Sequence, residues 1–546
     1  HCGLTELTLP STIRSMSQSF YGNEDLATLT LTNGITTLGG SFYGCTSLAS
    51  VNIPGSIKEV SSSDFSGCSG LATVTLNEGT EKVDFSGCTN LETINFPSSI
   101  KEVSITKNEK LETVTLQEGV ERISSFNYCS ALKQINIPST VTYIGTFRDC
   151  NALEKVIVAD LASWCSARHY DSTSYGPQKM AGSLYLGTIE DNEEITNLII
   201  PEGITNIASG SFSDVTGITS ITLPSTLTTL EYKTFYNCSN VTDVYCIANP
   251  ITLSWTESEN NFKSDKETQM HVIDADLWTS KFPVANATFL SDLTEISYSA
   301  TASVSAFITD NFPGTTALLG NIYDVESGKG HAYFVGNPTS VGANAFSGNT
   351  ALTSIDLPYG ITPIGANAFN GCNGLTTITL PITITTFNAD AFAGVDNMTD
   401  VWCVAEATDL TWDGTGFAPG KVTQMHVLIA SDWEEEFPDA NVTFVGDMTQ
   451  FRYTATSKDS ESFYDLSKFT GASELACHDF DSDTGSGSAV FKGIVTALGG
   501  YTFDRNKQIT SLTIPSSVTS LGSECFSKCS NLTAVSLPNT ITSLGN

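Results

Sequence analysis

A motif of 20 to 23 residues repeats from one end of this 546-residue chain to the other. The copy at 369–381 reads F-N-G-C-N-G-L-T-T-I-T-L-P. Each copy has an aliphatic residue at one fixed position, and apolar residues follow it at the third and fifth places. A period of this size is typical of a solenoid, in which each repeat forms one coil that packs against its neighbours. The fixed position is occupied by Leu4, Leu26, Leu48, Leu71, Leu91, Leu111, Leu132, Leu153, Ile195, Ile218, Val241, Leu352, Leu375, Met398, Ile509 and Leu532.

The alternation that follows the fixed aliphatic position predicts one short strand in each coil. In one copy Leu352, Ile355 and Leu357 alternate with polar residues, as expected of a half-buried strand. A proline often follows, here Pro358, and it ends the strand because it has no N–H to donate. A second apolar pair and then a phenylalanine complete the inward set. One coil cannot bury this set alone, so we expect stacked coils and a mainly β repeat protein.

The positions of the cysteines predict a column of buried thiols. Fourteen cysteines would suit a disulfide framework in a secreted chain. Eight of them, however, lie three residues before the fixed aliphatic position, where other copies have asparagine or valine. Such a position requires a small inward side chain, and asparagine cannot form a disulfide. Their spacing does not match a zinc motif either. The eight are Cys45, Cys68, Cys88, Cys129, Cys150, Cys238, Cys372 and Cys529.

Two short segments have some, but not all, of the residues that a catalytic site or a calcium site requires. Cys165 and His169 lie four residues apart, but no orienting partner or oxyanion site accompanies them, so we expect a structural cysteine rather than a nucleophile. The run Asp479-Phe-Asp-Ser-Asp483 has the carboxylate alternation of a calcium loop. Its glycine, Gly485, comes one place late, and Val490 stands where that loop has glutamate. An acidic hairpin turn is the favoured interpretation. We expect no catalytic residue, no cofactor and no metal.

Three segments interrupt the repeats. The one near 158–186 predicts a longer loop with a helical turn. The other two are copies of each other, since Thr-Gln-Met-His271-Val recurs as Thr-Gln-Met-His426-Val. Each copy has a short helix, around Ala275–Lys281 or Ser431–Glu436, within a segment that would cover the apolar end of a solenoid. We therefore expect repeats at 1–245, a β-rich cap or linker cassette at 246–335, repeats at 336–402, a second cassette at 403–490, and truncated repeats at 491–546.

The charge of the chain excludes two classes of partner. A net charge of −34 and a pI near 4.3 argue against nucleic acid and against an anionic membrane surface, because both attract Lys and Arg. No apolar run approaches the ~20 residues that cross a bilayer, so we expect no membrane insertion in this part of the protein. No signal peptide is visible, and the chain stops partway through a turn. We expect it to be a piece of a longer protein.

The repeat pattern F-x-G-C-x-x-L-x-x-I-x-I-P-x-x-(V/I)-x-x-(I/L)-G resembles the BspA-type leucine-rich repeat of surface adhesins from anaerobic bacteria and some protozoa. The resemblance implies a right-handed leucine-rich-repeat solenoid with short parallel strands. It also implies a non-catalytic adhesion role outside the cell or on its surface. Host or neighbouring-cell surface and matrix proteins would then be the partners. No binding residue of that family carries over to a position of this sequence.

The candidate binding residues are therefore those on the outward face of the strands. Tyr245 and Trp402 occupy outward positions in the last coil before each cassette, and Trp255 and Trp412 follow shortly after. These aromatic rings could bind a sugar, which makes glycan binding the alternative function, or they could pack beneath the cassette. The other outward residues either favour strand structure or form a polar docking face of modest affinity. They include Thr219, Ser220, Thr222, Thr353, Ser354, Asp356, Thr376, Thr377, Thr379, Thr510, Ser511 and Thr513.

Overall fold

The computed structural model describes residues 3–170, 175–255, 268–285, 287–388, 390–412, 417, 423–457, 462–481 and 484–545. These residues form two compact units. Unit 1 comprises His1–His271 with Lys281–Phe289, and unit 2 comprises Val272–Ser280 with Leu290–Asn546.

The strands are short and follow the repeats. Up to residue 291 they are β1 (Glu6–Thr8), β2 (Thr28–Thr30), β3 (Ser50–Ile53), β4 (Glu59–Val60), β5 (Thr73–Leu76), β6 (Lys82–Asp84), β7 (Thr93–Asn95), β8 (Glu102–Ser104), β9 (Thr113–Val114), β10 (Arg122–Ser125), β11 (Gln134–Ile137), β12 (Tyr143–Thr146), β13 (Lys155–Val158), β14 (Arg168–His169), β15 (Leu184–Gly187), β16 (Asn192–Glu194), β17 (Asn197–Ile199), β18 (Asn206–Ile207), β19 (Ser220–Leu223), β20 (Thr229–Leu230), β21 (Asp243–Cys246), β22 (Ser254–Trp255), β23 (Thr268–Val272) and β24 (Ala287–Ser291).

The strands of the remaining chain are β25 (Leu293–Ala300), β26 (Thr315–Asp324), β27 (Lys329–Gly336), β28 (Leu352–Asp356), β29 (Pro363–Ile364), β30 (Thr377–Leu380), β31 (Thr386–Phe387), β32 (Asp400–Cys403), β33 (Gln424–Val427), β34 (Thr443–Gly446), β35 (Met448–Ala455), β36 (Phe469–Thr470), β37 (Glu474–Asp481), β38 (Ser486–Lys492), β39 (Ala497–Leu498), β40 (Ile509–Thr513), β41 (Ser520–Leu521), β42 (Ala534–Ser536) and β43 (Ser543–Leu544).

Most coils contribute two strands, and each strand pairs in parallel with the equivalent strand of a neighbouring coil. The main ladder consists of strands that follow the fixed aliphatic position, as in the pairing of β3 with β5. The second ladder lies further along each coil, as in the pairing of β4 with β6. In β3 the buried Val51 and Ile53 alternate with the exposed Ser50 and Asn52. The prediction of a mainly β solenoid with short parallel strands is confirmed.

The phenylalanines of successive coils form a stacked column in the core. In unit 1 the ring centroids of Phe42 and Phe65 lie 5.7 Å apart. In unit 2 those of Phe346 and Phe369 lie 5.1 Å apart with an interplanar angle of 2°. Such offset stacking adds to the apolar burial of each ring. Because these rings pack against the rings of neighbouring coils, the core of each unit extends from coil to coil rather than closing within one repeat.

The thiols of the cysteine column bind the backbone of the preceding coil. The thiol of Cys372 is completely buried and donates to the carbonyl of Phe346 at 2.9 Å. Asn108 occupies the same position in its coil and donates to the carbonyl of Phe85 at 3.5 Å. This hydrogen bond between coils explains why both cysteine and asparagine fit the position. The sequence predicted a small inward side chain there, but not a bond that recurs from coil to coil. The other donors, at 2.8 to 3.5 Å, are Cys45, Cys68, Cys88, Cys129, Cys150, Cys238 and Cys529.

Two antiparallel sheets begin the later sets of coils in unit 2. β25 pairs antiparallel with β27 and also with β28, the first main-ladder strand of its set, while β26 covers the other edge of β27. β35, β37, β38 and β40 repeat this arrangement. The extended edge of each sheet is thereby joined to a parallel ladder, which protects the first coil from exposing an unpaired strand.

The helices are few and short. In the described residues the α-helices are α1 (Ser62–Phe65), α2 (Leu161–Ser166), α3 (Pro177–Ala181), α4 (Ala275–Lys281) and α5 (Ala430–Glu436), and single 3-10 turns lie at Thr309–Asn311, Ala407–Asp409 and Leu466–Lys468. α4 and α5 match the helices predicted within the two cassettes. Among its described residues, the segment near 158–186 has helices at Leu161–Ser166 and Pro177–Ala181, where the sequence predicted a single helical turn. Within the ranges given above, no helix has the length and apolar character needed to span a membrane.

Candidate functional site

The outward residues of four consecutive main-ladder strands in unit 1 form an exposed polar face. We call the set below the N-terminal strand face. Its members all point away from the core, where Val51, Val74, Ile94 and Val114 are buried. On β3, β5 and β7 neighbouring members repeat at the ladder spacing of about 4.8 Å, so this part of the face is a regular array of hydroxyl and amide groups. It consists of Ser50, Asn52, Thr73, Thr75, Thr93, Asn95, Thr113 and Thr115.

Several other outward hydroxyls predicted for docking are used within the solenoid. The Thr376 hydroxyl donates to the carbonyl of Thr353 at 3.1 Å, and the Thr219 hydroxyl donates to that of Thr196 at 3.0 Å. Thr379 is 2% exposed. These threonines connect or fill successive coils, which lowers the polarity that they offer to a partner. Some side chains of the N-terminal strand face are also bonded within the solenoid, as Thr113 is to Gln134, but all eight members are exposed, which makes this face the better candidate.

In unit 1, Tyr245 stacks on a histidine that the sequence did not single out as functional. Tyr245 on β21 and His271 on β23 are partners in the parallel register, and their ring centroids lie 4.5 Å apart at an angle of 18°. Nε2 of His271 lies 3.2 Å from a carboxylate oxygen of Asp243. Tyr245 is half-buried and His271 is buried. The result is a stacked pair of rings beside the carboxylate of Asp243.

In unit 2, Trp402 and His426 form an equivalent pair, and His426 lies between two carboxylates. Their ring centroids lie 3.8 Å apart at an angle of 12°. Nε2 of His426 lies 3.0 Å from Asp400, and Nδ1 lies 2.9 Å from both oxygens of Asp447. Both ring nitrogens of His426 are therefore within hydrogen-bonding distance of a carboxylate. Burial alone would raise the pKa of Asp400, but hydrogen bonds from Thr399 and His426 outweigh it and lower that pKa.

Trp402 lies beneath the second antiparallel sheet of unit 2. It packs against the buried cluster of Val404, Met448 and Val490, as do Ala476 and Cys477 of β37. The ammonium of Lys492 lies 5.6 Å from the centroid of the indole, within the range of a cation–π interaction. These contacts are those of a residue that joins two layers of one unit.

The structure does not place Trp255 and Trp412 on the outward face with Tyr245 and Trp402. Trp255 lies on β22 of the second ladder and packs against Phe282, with ring centroids 5.0 Å apart. Trp412 packs against Phe417 and Phe437, at 5.9 and 5.3 Å. Both indoles are 8% exposed. In these positions they contribute apolar burial near the ends of the coils.

A polar cleft of about 790 Å³ opens on the strand side of unit 2, and the sequence did not predict it. Lys492 lies at its base, only 5% exposed, and binds Glu474 at 3.1 Å and Asp356 at 3.4 Å. His331 hydrogen-bonds Glu295 in the wall, and this bond raises the pKa of the histidine although burial opposes the shift. Lys492 and His331 are thus each paired with carboxylates of the same cleft, so these charges are already neutralised within the protein.

The comparison with protein families decides the identity of the fold. The family model for the BspA type leucine-rich repeat region, in six copies, matches residues 1–104, 81–173, 190–307, 332–411 and 476–546. The chain belongs to this family. A comparison with curated proteins finds no match.

Solved structures similar to this BspA-type chain come from several bacteria. A leucine-rich repeat protein from Bacteroides ovatus is 18% identical over 81% of this chain and 92% of that one, with a TM-score of 0.28. A leucine rich cell surface protein from Faecalibacterium prausnitzii is 17% identical over 73% and 87%, with a TM-score of 0.20. The pneumococcal vaccine antigen PcpA is 13% identical over 82% and 90%, with a TM-score of 0.19. At these scores the likeness adds nothing to the family assignment.

Cys165 and His169 of this BspA-type chain do not form a nucleophile–base pair. Burial raises the pKa of the Cys165 thiol to about 12, so the thiolate is strongly disfavoured. Nε2 of His169 instead lies 3.0 Å from the carbonyl of Trp164, and its ring meets that indole edge-on. The two residues pack the first insert of the BspA-type solenoid.

The acidic turn of this BspA-type chain lies partly outside the described residues, because Asp483 is not among them. Asp479 accepts a hydrogen bond from the Ser488 hydroxyl at 2.6 Å, and Asp481 accepts one from the Thr484 hydroxyl at 2.9 Å. These are the local bonds of a polar hairpin turn. Among the described residues, no group of three or more His, Cys, Asp or Glu side chains is arranged to hold a metal ion.

Proposed function

We propose that this chain is a non-catalytic interaction protein that acts outside the cell or on its surface and presents its N-terminal strand face to protein partners. The observation that carries the proposal is the exposure of the outward residues on β3, β5, β7 and β9. In unit 2 the comparable face is different, because Trp402 is packed beneath a sheet and Thr379 is buried.

The chemistry of this face suits a protein backbone or a polar protein surface. Threonine, serine and asparagine side chains offer both donors and acceptors at a regular spacing. None of the eight members of the N-terminal strand face is aromatic or an arginine, and such residues dominate the tightest interfaces. We therefore expect modest affinity for each contact and useful avidity when several faces act together.

Buried thiols are compatible with an extracellular location. Burial raises the pKa of Cys68 to about 12 and that of Cys372 to about 11, so the reactive thiolate is scarce at neutral pH. A thiol in this state reacts slowly in an oxidising compartment. Family membership supports an adhesion role, with host or neighbouring-cell surface and matrix proteins as the partners that we propose.

A surface-block experiment tests this function. The full chain is assayed for binding to purified fibronectin, fibrinogen, laminin and collagen, in parallel with two arginine variants. Thr75→Arg introduces a bulky charge on the N-terminal strand face. Thr37→Arg places the same change at an exposed second-ladder position. We expect binding to at least one matrix protein and a loss of about tenfold or more for Thr75→Arg alone.

Circular dichroism verifies that both variants keep the β fold. Equal binding by Thr75→Arg and the unmodified chain would contradict the assignment of the face. The absence of binding to every matrix protein in the panel would contradict the class of partner.

A further inference from the structure

The main ladder of unit 1 is open between β7 and β9. β7 pairs with β5, and β9 pairs with β11, but β7 and β9 belong to different sheets. A cleft of about 860 Å³ lies between them, lined by 92–96 on one side and by Thr113, Thr115 and Gln117 on the other. The N-terminal strand face therefore contains an internal pair of strand edges.

The second ladder stays closed at the same coils. β8 pairs with β6 on one side and with β10 on the other. Lys82 and Glu102 bridge the first of these pairs at 3.1 Å. Ile105 stands in this coil where the neighbouring coils have Phe85 and Phe126, and all three are buried. The second ladder therefore holds these coils together while the main ladder is open, and the smaller Ile105 distinguishes the core of this coil from its neighbours.

The open edges present backbone groups that a third strand could bind. The N–H groups of Lys133 and Gln134 donate to the carbonyl of Glu112, so Glu112 faces β11. Because successive residues of a strand face opposite neighbours, Thr113 and Thr115 turn their N–H and C=O groups toward the opening. By the same alternation, Thr93 pairs with β5, and Ile94 faces the opening from the other side.

The surroundings of the opening are acidic. Its lining includes Glu92, Glu109 and Glu112 with a single cation, Lys110, which lies 3.5 Å from Glu92. Lys133 of the next coil binds Glu112 at 2.8 Å. These ion pairs are largely exposed and therefore weak, so a competing cation can replace either lysine at little cost. The charge balance favours a basic ligand.

We propose that the opening between β7 and β9 binds an extended, lysine- or arginine-bearing segment of a partner protein as an added parallel strand. The inference rests on the proposed function, since the opening belongs to the N-terminal strand face. The added strand would hydrogen-bond β7 on one side and β9 on the other, which closes the ladder at two spacings of ~4.8 Å. Its inward side chains would meet Ile94 and Val114, and its outward basic side chains would meet the glutamates.

The free protein provides the first test. In the ladder, the amide of Gln134 is hydrogen-bonded, whereas those of Thr113 and Thr115 face the opening. Hydrogen exchange followed by NMR should show the two threonine amides exchanging at least about tenfold faster than that of Gln134. Equally slow exchange would mean that the ladder is closed, and it would overturn the proposal.

Synthetic peptides provide the second test. The probe is a blocked hexapeptide that alternates lysine and valine, and its binding to the full chain is measured by calorimetry at low salt. Matched peptides carry either N-methyl groups on alternate residues, which removes backbone donors, or glutamate in place of lysine. We expect binding of the probe, protection of the Thr113 and Thr115 amides, and a loss of about tenfold or more for both matched peptides.

A pair of protein variants isolates the charge effect. Glu92→Gln combined with Glu109→Gln removes two carboxylates from the lining. Glu154→Gln changes the residue that occupies the Glu92 position of a coil whose ladder is closed. We expect the double variant alone to bind the probe less tightly, by about threefold to tenfold.

The outcomes separate this inference from the proposed function. No binding of the probe, or equal binding of the N-methylated peptide, would overturn the added-strand proposal. The effect of Thr75→Arg on matrix proteins is independent of that result, because Thr75 lies on β5 outside the opening.

Discussion

Replacing His169 should remove an acid sensitivity that its burial imposes on unit 1. The ring is 8% exposed, with Nε2 at the carbonyl of Trp164 and its plane edge-on to that indole. Burial disfavours the charged form and lowers the pKa of His169 to about 4, although the hydrogen bond to Trp164 acts in the opposite direction. In the unfolded chain the pKa returns to about 6.5. Between these values the unfolded state binds more protons than the folded state.

The sign and the size of the effect follow from linkage. Stability attributable to neutral His169 is fully present above pH 6.5 and declines as the pH falls toward 4. The whole difference of about 2.5 pKa units corresponds to about 3 kcal/mol, of which about 2 kcal/mol is lost between pH 7 and pH 5. His169→Gln can still donate to the Trp164 carbonyl but does not titrate in this range. We expect this variant to lose about 2 kcal/mol less than the unmodified chain over the same interval.

Urea unfolding at pH 7 and pH 5, followed by tryptophan fluorescence, measures this difference for both proteins. His331→Gln is the matched control. Its bond to Glu295 raises the pKa of His331, so that histidine stabilises the fold more at low pH and its loss should increase the acid sensitivity. The reasoning is refuted if His169→Gln shows the same decline as the unmodified chain, or if NMR shows His169 titrating near 6.5 in the folded protein.

Two further substitutions test the packing roles described above. Cys372→Ala removes the thiol that binds the Phe346 carbonyl and should cost about 1–3 kcal/mol, whereas Cys372→Asn should cost less because asparagine can restore the donor. Urea unfolding of the two variants compares them, and a larger loss for asparagine would contradict the bond as the reason for the substitution pattern. Trp402→Ala should lower the stability of unit 2 by about 2 kcal/mol and leave matrix-protein binding unchanged, because the indole packs against the buried Val404, Met448 and Val490. A glycan array with Trp402→Ala and Tyr245→Ala tests the alternative function, since loss of a glycan signal in either variant would favour the aromatic pairs as the binding site.

The fold could be predicted because the same pattern of apolar and polar residues recurs in many copies along the chain. Alternation around Leu352, Ile355 and Leu357 specifies one buried face, and the stacked copies of that face can be buried only in neighbouring coils. The short helix at Ala275–Lys281 was predictable for the same reason, since a second copy of its segment stands later in the chain. The backbone partners of the cysteines were not predictable, because they depend on how closely the coils stack.

The aromatic–histidine pairs could have been predicted from the sequence. Trp402 and His426 are separated by about one coil, and Tyr245 and His271 have a similar separation, so each pair falls in register on adjacent strands. The repeated Thr-Gln-Met-His segment was the available signal. The packing over Trp402 brings together segments that are distant in sequence. The opening between β7 and β9 depends on how neighbouring coils pack, including the size of core residues such as Ile105. Local patterns do not encode those distances.

The most direct test of the account is the footprint of a bound matrix protein on the full chain, mapped by hydrogen exchange. If the N-terminal strand face is the binding surface, protection on binding should concentrate at the main-ladder strands β3, β5, β7 and β9, and the segment around Trp402 should exchange as in the free protein. Protection confined to unit 2, with the amides of these four strands unchanged, would contradict the account.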